Sequence, residues 1–149
     1  MNSGILLIYF SHTGRAKKIA ALMSRAVDCE TDEIVPVTPY PDDKAALRRL
    51  ILMQGVSSRP KIRKLKHDLS RYGTVILGTP VWENGLPPPV MTFLESYDWR
   101  GIKLYPFFTS GGIYMNAYSI IKDKCKGAGI ADPLYLIYDD KGNLLDLKE

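Results

Sequence analysis

Residues 5–20, ILLIYFSHTGRAKKIA, begin with an unbroken apolar run and end with apolar residues at helical spacing. Residues 5–10 are all aliphatic or aromatic, as in a strand buried on both faces of a parallel sheet. After a polar loop, apolar residues recur every three or four positions from Ala16 to Val27, which predicts a helix with one buried stripe. The stretch therefore predicts a strand, a loop and a helix in succession.

The same alternation continues along the chain. Further strands are predicted at residues 33–37, 74–78, 104–108 and 134–138, and further helices at 41–53, 61–72, 89–94 and 116–127. Such alternation favours parallel strands joined by right-handed crossovers. We expect an α/β fold, with residues 1–149 as a single doubly wound domain around a five-stranded parallel sheet in the order 2-1-3-4-5.

The C-terminal segment breaks this pattern. Residues 139–143 predict a turn, and the apolar stretch after it, residues 144–147, is short. A closing C-terminal helix is therefore expected to be short or absent, with a hairpin as its replacement. That would uncover one face of the sheet, which a homodimer partner could bury.

Composition and charge narrow the classes of function. The chain has 149 residues, a net charge of +4 and a pI of about 9.0. No apolar run approaches the length of a membrane span and no signal peptide is evident, so we expect a cytoplasmic protein with no membrane partner. The two cysteines form no C-x-x-C pair, which favours reduced, structural thiols, and no metal-ligand spacing is present.

A basic cluster lies in the middle of the chain. The simpler interpretation is the solvated face of a helix, although a basic face also attracts acidic partners. Aromatic residues do not interleave with it before Tyr72, which argues against nucleic-acid binding. The cluster comprises Arg59, Lys61, Arg63, Lys64, Lys66 and Arg71.

Three loops have unusual compositions, and each follows a predicted strand, where open α/β sheets bind ligands. The first, residues 11–16, combines two hydroxyls, Gly14, Arg15 and a helix start. Free amides and the positive end of the helix dipole make such a loop an anion site. An ordinary N-cap turn built on Ser11 or Thr13 is the alternative. Neither G-x-x-x-x-G-K-[ST] nor G-x-G-x-x-G is present.

The second and third loops offer flat and polar surfaces. In residues 78–87, Trp82 is a candidate stacking plate for a planar ring, with a core residue as the alternative. In residues 109–114, two hydroxyls and two glycines suit close backbone approach, and Tyr114 could form a second aromatic wall; a flexible turn is the alternative. Each loop is weak evidence alone. Together they converge on one mouth of the predicted sheet.

Three segments carry a family resemblance: residues 5–20, residues 75–94 (VILGTPVWENGLPPPVMTFL) and residues 107–112 (FFTSGG). They resemble flavodoxins, above all short flavodoxin-like proteins with a G-x-P-x-W loop and a T-S-G-G turn, and the similarity extends from residue 4 to about residue 130. The resemblance implies FMN as cofactor, with its phosphate in the first loop and its ring between the other two. The implied cofactor-binding residues are Ser11, His12, Thr13, Gly14, Arg15, Ala16, Thr79, Pro80, Val81, Trp82, Glu83, Asn84, Thr109, Ser110, Gly111 and Gly112.

The resemblance also implies electron transfer, with a redox protein as partner. The basic charge, where many electron-carrier flavodoxins are acidic, favours an acidic partner. Since the flavin performs the chemistry, no side chain is expected to be catalytic. Two alternatives stay open: an FMN-dependent NAD(P)H:quinone-type oxidoreductase, and a flavin-free interaction module. Ala16 supports the second alternative, because it stands where the family usually has a hydroxyl residue that binds phosphate.

Overall fold

The structure, a computed structural model, describes residues 4–55, 57–82, 85–112, 116–139 and 141–148. Its strands are β1 (Gly4–Tyr9), β2 (Glu30–Glu33), β3 (Tyr72–Pro80), β4 (Lys103–Ser110), β5 (Gly129–Ile130), β6 (Leu134–Tyr138) and β7 (Leu144–Lys148). The helices are α1 (Arg15–Ala26), α2 (Lys44–Gln54), α3 (Pro88–Glu95) and α4 (Ala117–Lys124), with a 3₁₀ turn at Leu69–Arg71. No helix in this described part of the chain is long and apolar enough to cross a membrane.

The sheet has the predicted parallel order. Its strands lie in the sequence β2-β1-β3-β4-β6-β7, and β5 also pairs with β4. The short strands β5 and β6 thus share the fifth position, with residues 131–133 between them. All pairings are parallel except β6 with β7, which is antiparallel. The five-stranded order 2-1-3-4-5 is therefore confirmed, and the hairpin of β6 and β7 follows where a closing helix was expected to be short or absent.

Helices cover both faces of the sheet. The larger apolar cluster places α3 and α4 side chains, such as Phe93 and Ile121, against Leu6, Val75 and Leu104 of the central strands. The smaller cluster places Ala16, Ile19 and Met23 of α1 against Phe107 and Leu136. Since alternate residues of a strand point to opposite faces, the neighbours Phe107 and Phe108 serve different clusters.

Two predicted elements are wrong. The strand expected at residues 33–37 begins and ends earlier in the chain. It is β2, which lies at the sheet edge and ends at Glu33. The helix expected at residues 61–72 is an extended segment before the 3₁₀ turn. Its backbone bonds residues 35–37: the Arg63 N–H donates to the Val35 carbonyl (2.7 Å) and the Val37 N–H donates to the Lys61 carbonyl (2.9 Å).

The extended segment, residues 61–67, forms a strap across residues 35–37. Its far end is fixed by His67, whose backbone N–H donates to the buried Asp32 carboxylate at 2.9 Å. The His67 ring lies between Asp32 (Nδ1, 3.1 Å) and Glu30 (Nε2, 2.7 Å). At His67, tertiary bonds to β2 therefore replace the bonds that a helix would make.

Candidate functional site

The structure brings the three predicted loops together at the carboxyl edge of the sheet. The Phe10 N–H, just after β1, donates to the Gly78 carbonyl at 2.9 Å, and the Val81 N–H donates to the Thr109 carbonyl at 3.1 Å. These bonds hold the residue just before the first loop against the second loop, and the second loop against the third. The convergence follows from parallel pairing, which places the ends of β1, β3 and β4 side by side.

The first loop ends in an open helix N-terminus. Gly14 precedes α1 with φ of +93°, and its N–H donates to the Ser11 Oγ at 3.0 Å. No side chain in the described part of the chain caps α1, and no acidic residue lies in its first turn. The first-turn amides are therefore available to an anion, and the positive end of the helix dipole favours one.

Trp82 is the centre of an aromatic cluster. Its indole meets three rings edge to face: Phe10 at 5.6 Å, His12 at 6.0 Å and Tyr40 at 5.4 Å between centroids. Two backbone hydrogen bonds with Gly85, of 2.8 and 2.9 Å, close the loop that carries it. Trp82 is half-buried, so it partly packs on the core and partly forms a wall of the site. Glu83 and Asn84 lie outside the described residues.

The hydroxyls of Thr79 in the second loop and Ser110 in the third make hydrogen bonds within the protein. The buried Thr79 donates its Oγ1 proton to the Pro80 carbonyl at 2.9 Å. The Ser110 Oγ accepts the Gly112 N–H at 3.0 Å. Thr109 is also buried, whereas Gly111 and Gly112 are exposed. The third loop therefore presents exposed backbone, and Tyr114 lies outside the described residues.

A comparison with known protein families places the chain in one of them. A family model described as flavodoxin matches residues 4–136. The chain belongs to the flavodoxin family.

Solved structures agree with this assignment. A flavoprotein from Bacteroides uniformis ATCC 8492 is 31% identical, with a TM-score of 0.79, over 95% of this chain and 94% of that one. A flavoprotein from Bacteroides eggerthii DSM 20697 is 30% identical, with a TM-score of 0.78, over 94% and 92%. A flavoprotein from Lactobacillus acidophilus NCFM, crystallised in complex with FMN, is 25% identical, with a TM-score of 0.73, over 89% and 93%. A search of curated proteins found no match.

Two first-loop side chains of this flavodoxin contact other parts of the protein instead of a phosphate site. Ala16 is almost fully buried and packs with Phe107, Leu136 and Tyr138. The guanidinium of Arg15 lies 5.0 Å from the centroid of the Tyr138 ring. Ala16 therefore has only its backbone to offer an anion, and Arg15 is held beside β6.

Sequence reasoning missed Tyr40. Its hydroxyl is buried and has no hydrogen-bond partner among the described residues, and burial raises its pKa. Tyr40 and His12 line one cavity, together with Arg63 of the strap. The available signal was the triplet Pro39-Tyr40-Pro41, which places an aromatic ring in a rigid loop after β2.

Proposed function

We propose that this flavodoxin binds FMN at the three loops and works as an electron carrier. The observation that carries the proposal is that the first loop meets the Trp82 loop at one sheet edge, where the His12 ring contacts the Trp82 indole close to the open N-terminus of α1. FMN has a dianionic end and a planar ring, and this edge offers an anion site beside an aromatic wall. The Lactobacillus relative, described as a complex with FMN, supports the choice of ligand.

The residues present fit an FMN phosphate. A Cβ built on Gly14 would meet no heavy atom within 4 Å, so the backbone there is open to a ligand. The amides of the first turn of α1 would hold the phosphate, with the Thr13 hydroxyl exposed beside them. Since Ala16 contributes its backbone alone, its missing hydroxyl leaves this set of amide donors intact.

The residues present also fit a planar ring with polar edges. Trp82, Pro80 and Val81 are half-buried and form the second loop's side of the site. The unpartnered Tyr40 hydroxyl would regain a hydrogen bond from a ligand atom, which recovers free energy lost on its burial. When bound, FMN supplies one- and two-electron chemistry, and the protein binds and orients it without a catalytic side chain.

Titration with two flavins tests the phosphate site. We expect FMN to bind at least about tenfold more tightly than riboflavin, which corresponds to about 1.4 kcal/mol. Thr13→Asp places a negative charge in the first loop and should weaken FMN binding but not riboflavin binding. Thr38→Asp, at another exposed threonine, is the matched control. Flavin fluorescence and calorimetry provide the readout.

Equal affinity for FMN and riboflavin would contradict the phosphate site. Full fluorescence of FMN at micromolar protein would instead favour the flavin-free interaction module. Steady-state NAD(P)H oxidation by the flavin-loaded protein separates a carrier from an oxidoreductase. We expect no sustained turnover with NAD(P)H and quinone, and rapid turnover would support the oxidoreductase.

The partner of this carrier is proposed to be an acidic redox protein that docks on the strap. Lys61, Arg63, Lys64 and Lys66 are all exposed, and none forms an ion pair with a described residue. A groove beside the strap is lined by three cations, Arg63, Lys64 and Lys66, and by two carboxylates, Asp32 and Glu33, so cations are in excess there. A net positive field beside the site would steer a protein of opposite charge. We also expect this electron transfer to occur in the cytoplasm.

Ionic strength tests this docking. With the flavin-loaded protein, the rate of electron transfer from an acidic plant-type ferredoxin should fall about tenfold or more as salt rises, and transfer to the basic cytochrome c should not. A Lys61→Glu, Lys64→Glu, Lys66→Glu triple variant should lose the ferredoxin dependence. Its control, Arg25→Glu, Lys103→Glu, Lys126→Glu at exposed positions away from the three loops, makes the same charge change and should keep it. Equal losses in both variants would show that net charge alone is responsible.

A further inference from the structure

A second cavity lies on the α2 side of Trp82, away from the first loop. Its volume is about 240 Å³, which exceeds the roughly 150 Å³ cavity that holds benzene in an engineered protein core. It opens between α2 and the segment that follows β3. The lining residues are Lys44, Leu47, Arg48, Ile51, Val81 and Trp82.

The lining divides into an apolar floor and a cationic rim. Leu47 and Ile51 lie one turn apart on α2, and with Val81 and the indole they offer a mainly apolar surface to a ligand. Lys44 and Arg48 are also one turn apart and both are exposed. Lys44 forms no ion pair with any described residue, so its ammonium can meet an anion at the rim.

Both walls of the cavity are held in place before a ligand arrives. The edge-to-face contacts with Phe10, His12 and Tyr40 fix the indole of Trp82. The N-terminus of α2 is capped by Asp43, whose carboxylate accepts the Ala46 N–H at 2.9 Å. A preformed site loses less conformational entropy on binding than a flexible one.

From these observations we infer that the cavity binds a planar aromatic anion of one or two fused rings. The ring lies against Leu47, Ile51 and the indole, and the acidic group reaches Lys44. A flat ring buries its apolar surface there, while the charge stays at the wet rim where its desolvation costs little. Binding at this cavity does not require that the protein bind FMN.

The test uses a matched pair of probes, 2-naphthalenesulfonate and the neutral 2-naphthol, with flavin-free protein in equilibrium dialysis. We expect the sulfonate to bind about tenfold more tightly than the naphthol. Lys44→Gln should abolish that preference and leave naphthol binding unchanged. Leu47→Trp fills the cavity and should weaken both probes at least tenfold, whereas Leu52→Trp, at an exposed site on the same helix, should weaken neither.

Three outcomes would overturn the inference. They are equal affinity for the two probes, undiminished binding to the Leu47→Trp protein, and displacement of the sulfonate by FMN, since displacement would assign the cavity to the cofactor site. Because Lys44 is exposed, Lys44→Gln keeps the test valid even if Leu47→Trp fails to fold. Sulfonate binding to a protein that binds no FMN would confirm this inference and reject the proposed function, so the two fail separately.

Discussion

At the scale of the residue, Gly78 shows why one strand position must lack a side chain. It pairs with Phe107 across β3 and β4, and a Cβ built on it would lie 2.0 Å from Cζ of the Phe107 ring. The Phe107 ring therefore occupies the space that a side chain at position 78 would need. The sequence indicated only that the predicted strand ended at this glycine.

Gly78→Ala is predicted to lower the free energy of unfolding by about 1–3 kcal/mol, because the Phe107 ring must leave its place in a packed core. The measurement is urea unfolding followed by circular dichroism. Gly129→Ala is the matched control, since a Cβ there would meet no heavy atom within 4 Å. Equal losses in the two variants would contradict the steric explanation.

Cys125 is predicted to be unreactive in the folded protein. It is fully buried, and burial raises the pKa of its thiol to about 12, so almost no thiolate exists at pH 8. A thiol-specific disulfide reagent at pH 8 should modify only the half-buried Cys29, and slowly, because burial and the nearby Asp28 raise that pKa also. Cys29→Ser should then show no reaction until denaturant is added. Rapid modification of this variant in buffer would contradict the prediction.

At the scale of the element, the strap shows how tertiary contacts override a helical pattern. Residues 61–72 carry charges and apolar residues at spacings that suit a helix. In the structure, Leu65 is buried, Ile62 is half-buried against the main core, and the backbone bonds residues 35–37. These long-range bonds satisfy the backbone as well as a helix would, and the local pattern does not contain them.

Helix α3 is tied to its neighbours by one carboxylate. Glu95 accepts from Arg59 (2.7 Å) and from Lys124 of α4 (2.9 Å), and these bonds lower its pKa from its ordinary value near 4.5 to about 2. A lowered folded-state pKa stabilises the protein above pH 4.5, and this contribution is lost as the pH falls toward 2. Since Glu95 is one-third exposed, solvent screening limits its contribution to about 1 kcal/mol.

Glu95→Gln is accordingly predicted to be destabilised by up to about 1 kcal/mol at pH 7 and to match the unmodified protein near pH 2. Thermal unfolding across this pH range measures the difference. Asp123→Asn removes an exposed pair, with Lys126 at 3.8 Å, and should change stability little at any pH. A difference for Glu95→Gln that is constant with pH would argue against the ion pairs as its cause.

At the scale of the whole molecule, the C-terminal hairpin leaves part of the sheet uncovered. Tyr105 points to the same face as Phe107, the face that α1 covers, yet 48% of Tyr105 is exposed. A closing helix would pack against this face, and β7 instead extends the sheet edge by pairing with β6. An exposed aromatic on an open face favours self-association.

The homodimer stays a prediction, and sedimentation equilibrium tests it. We expect concentration-dependent dimers, which Tyr105→Glu should weaken by removing apolar surface from the contact. Lys103→Glu, an exposed position on the same face of the same strand, is the control for charge. A monomer at all concentrations would show that the open face is not an interface between copies.

The sequence by itself determined the order of strands and helices, the parallel sheet and the three loops that meet at its edge. Residues 5–20 and 75–94 suffice for this, because buried strands and amphipathic helices differ in period, and parallel pairing then places the loops together. The short C-terminal stretch likewise indicated the hairpin. All of these features follow from local patterns in the sequence, combined with the regular way in which strand–helix–strand units connect.

Tertiary structure alone decided the features that depend on distant residues. Only packing placed Ala16 in the core, Tyr40 and Phe10 against Trp82, and the basic strap across residues 35–37. The cavity beside α2 likewise exists only because Val81 and Trp82 come close to that helix. The physical reason is that such contacts join segments far apart in sequence, where no local period records which side chains will meet.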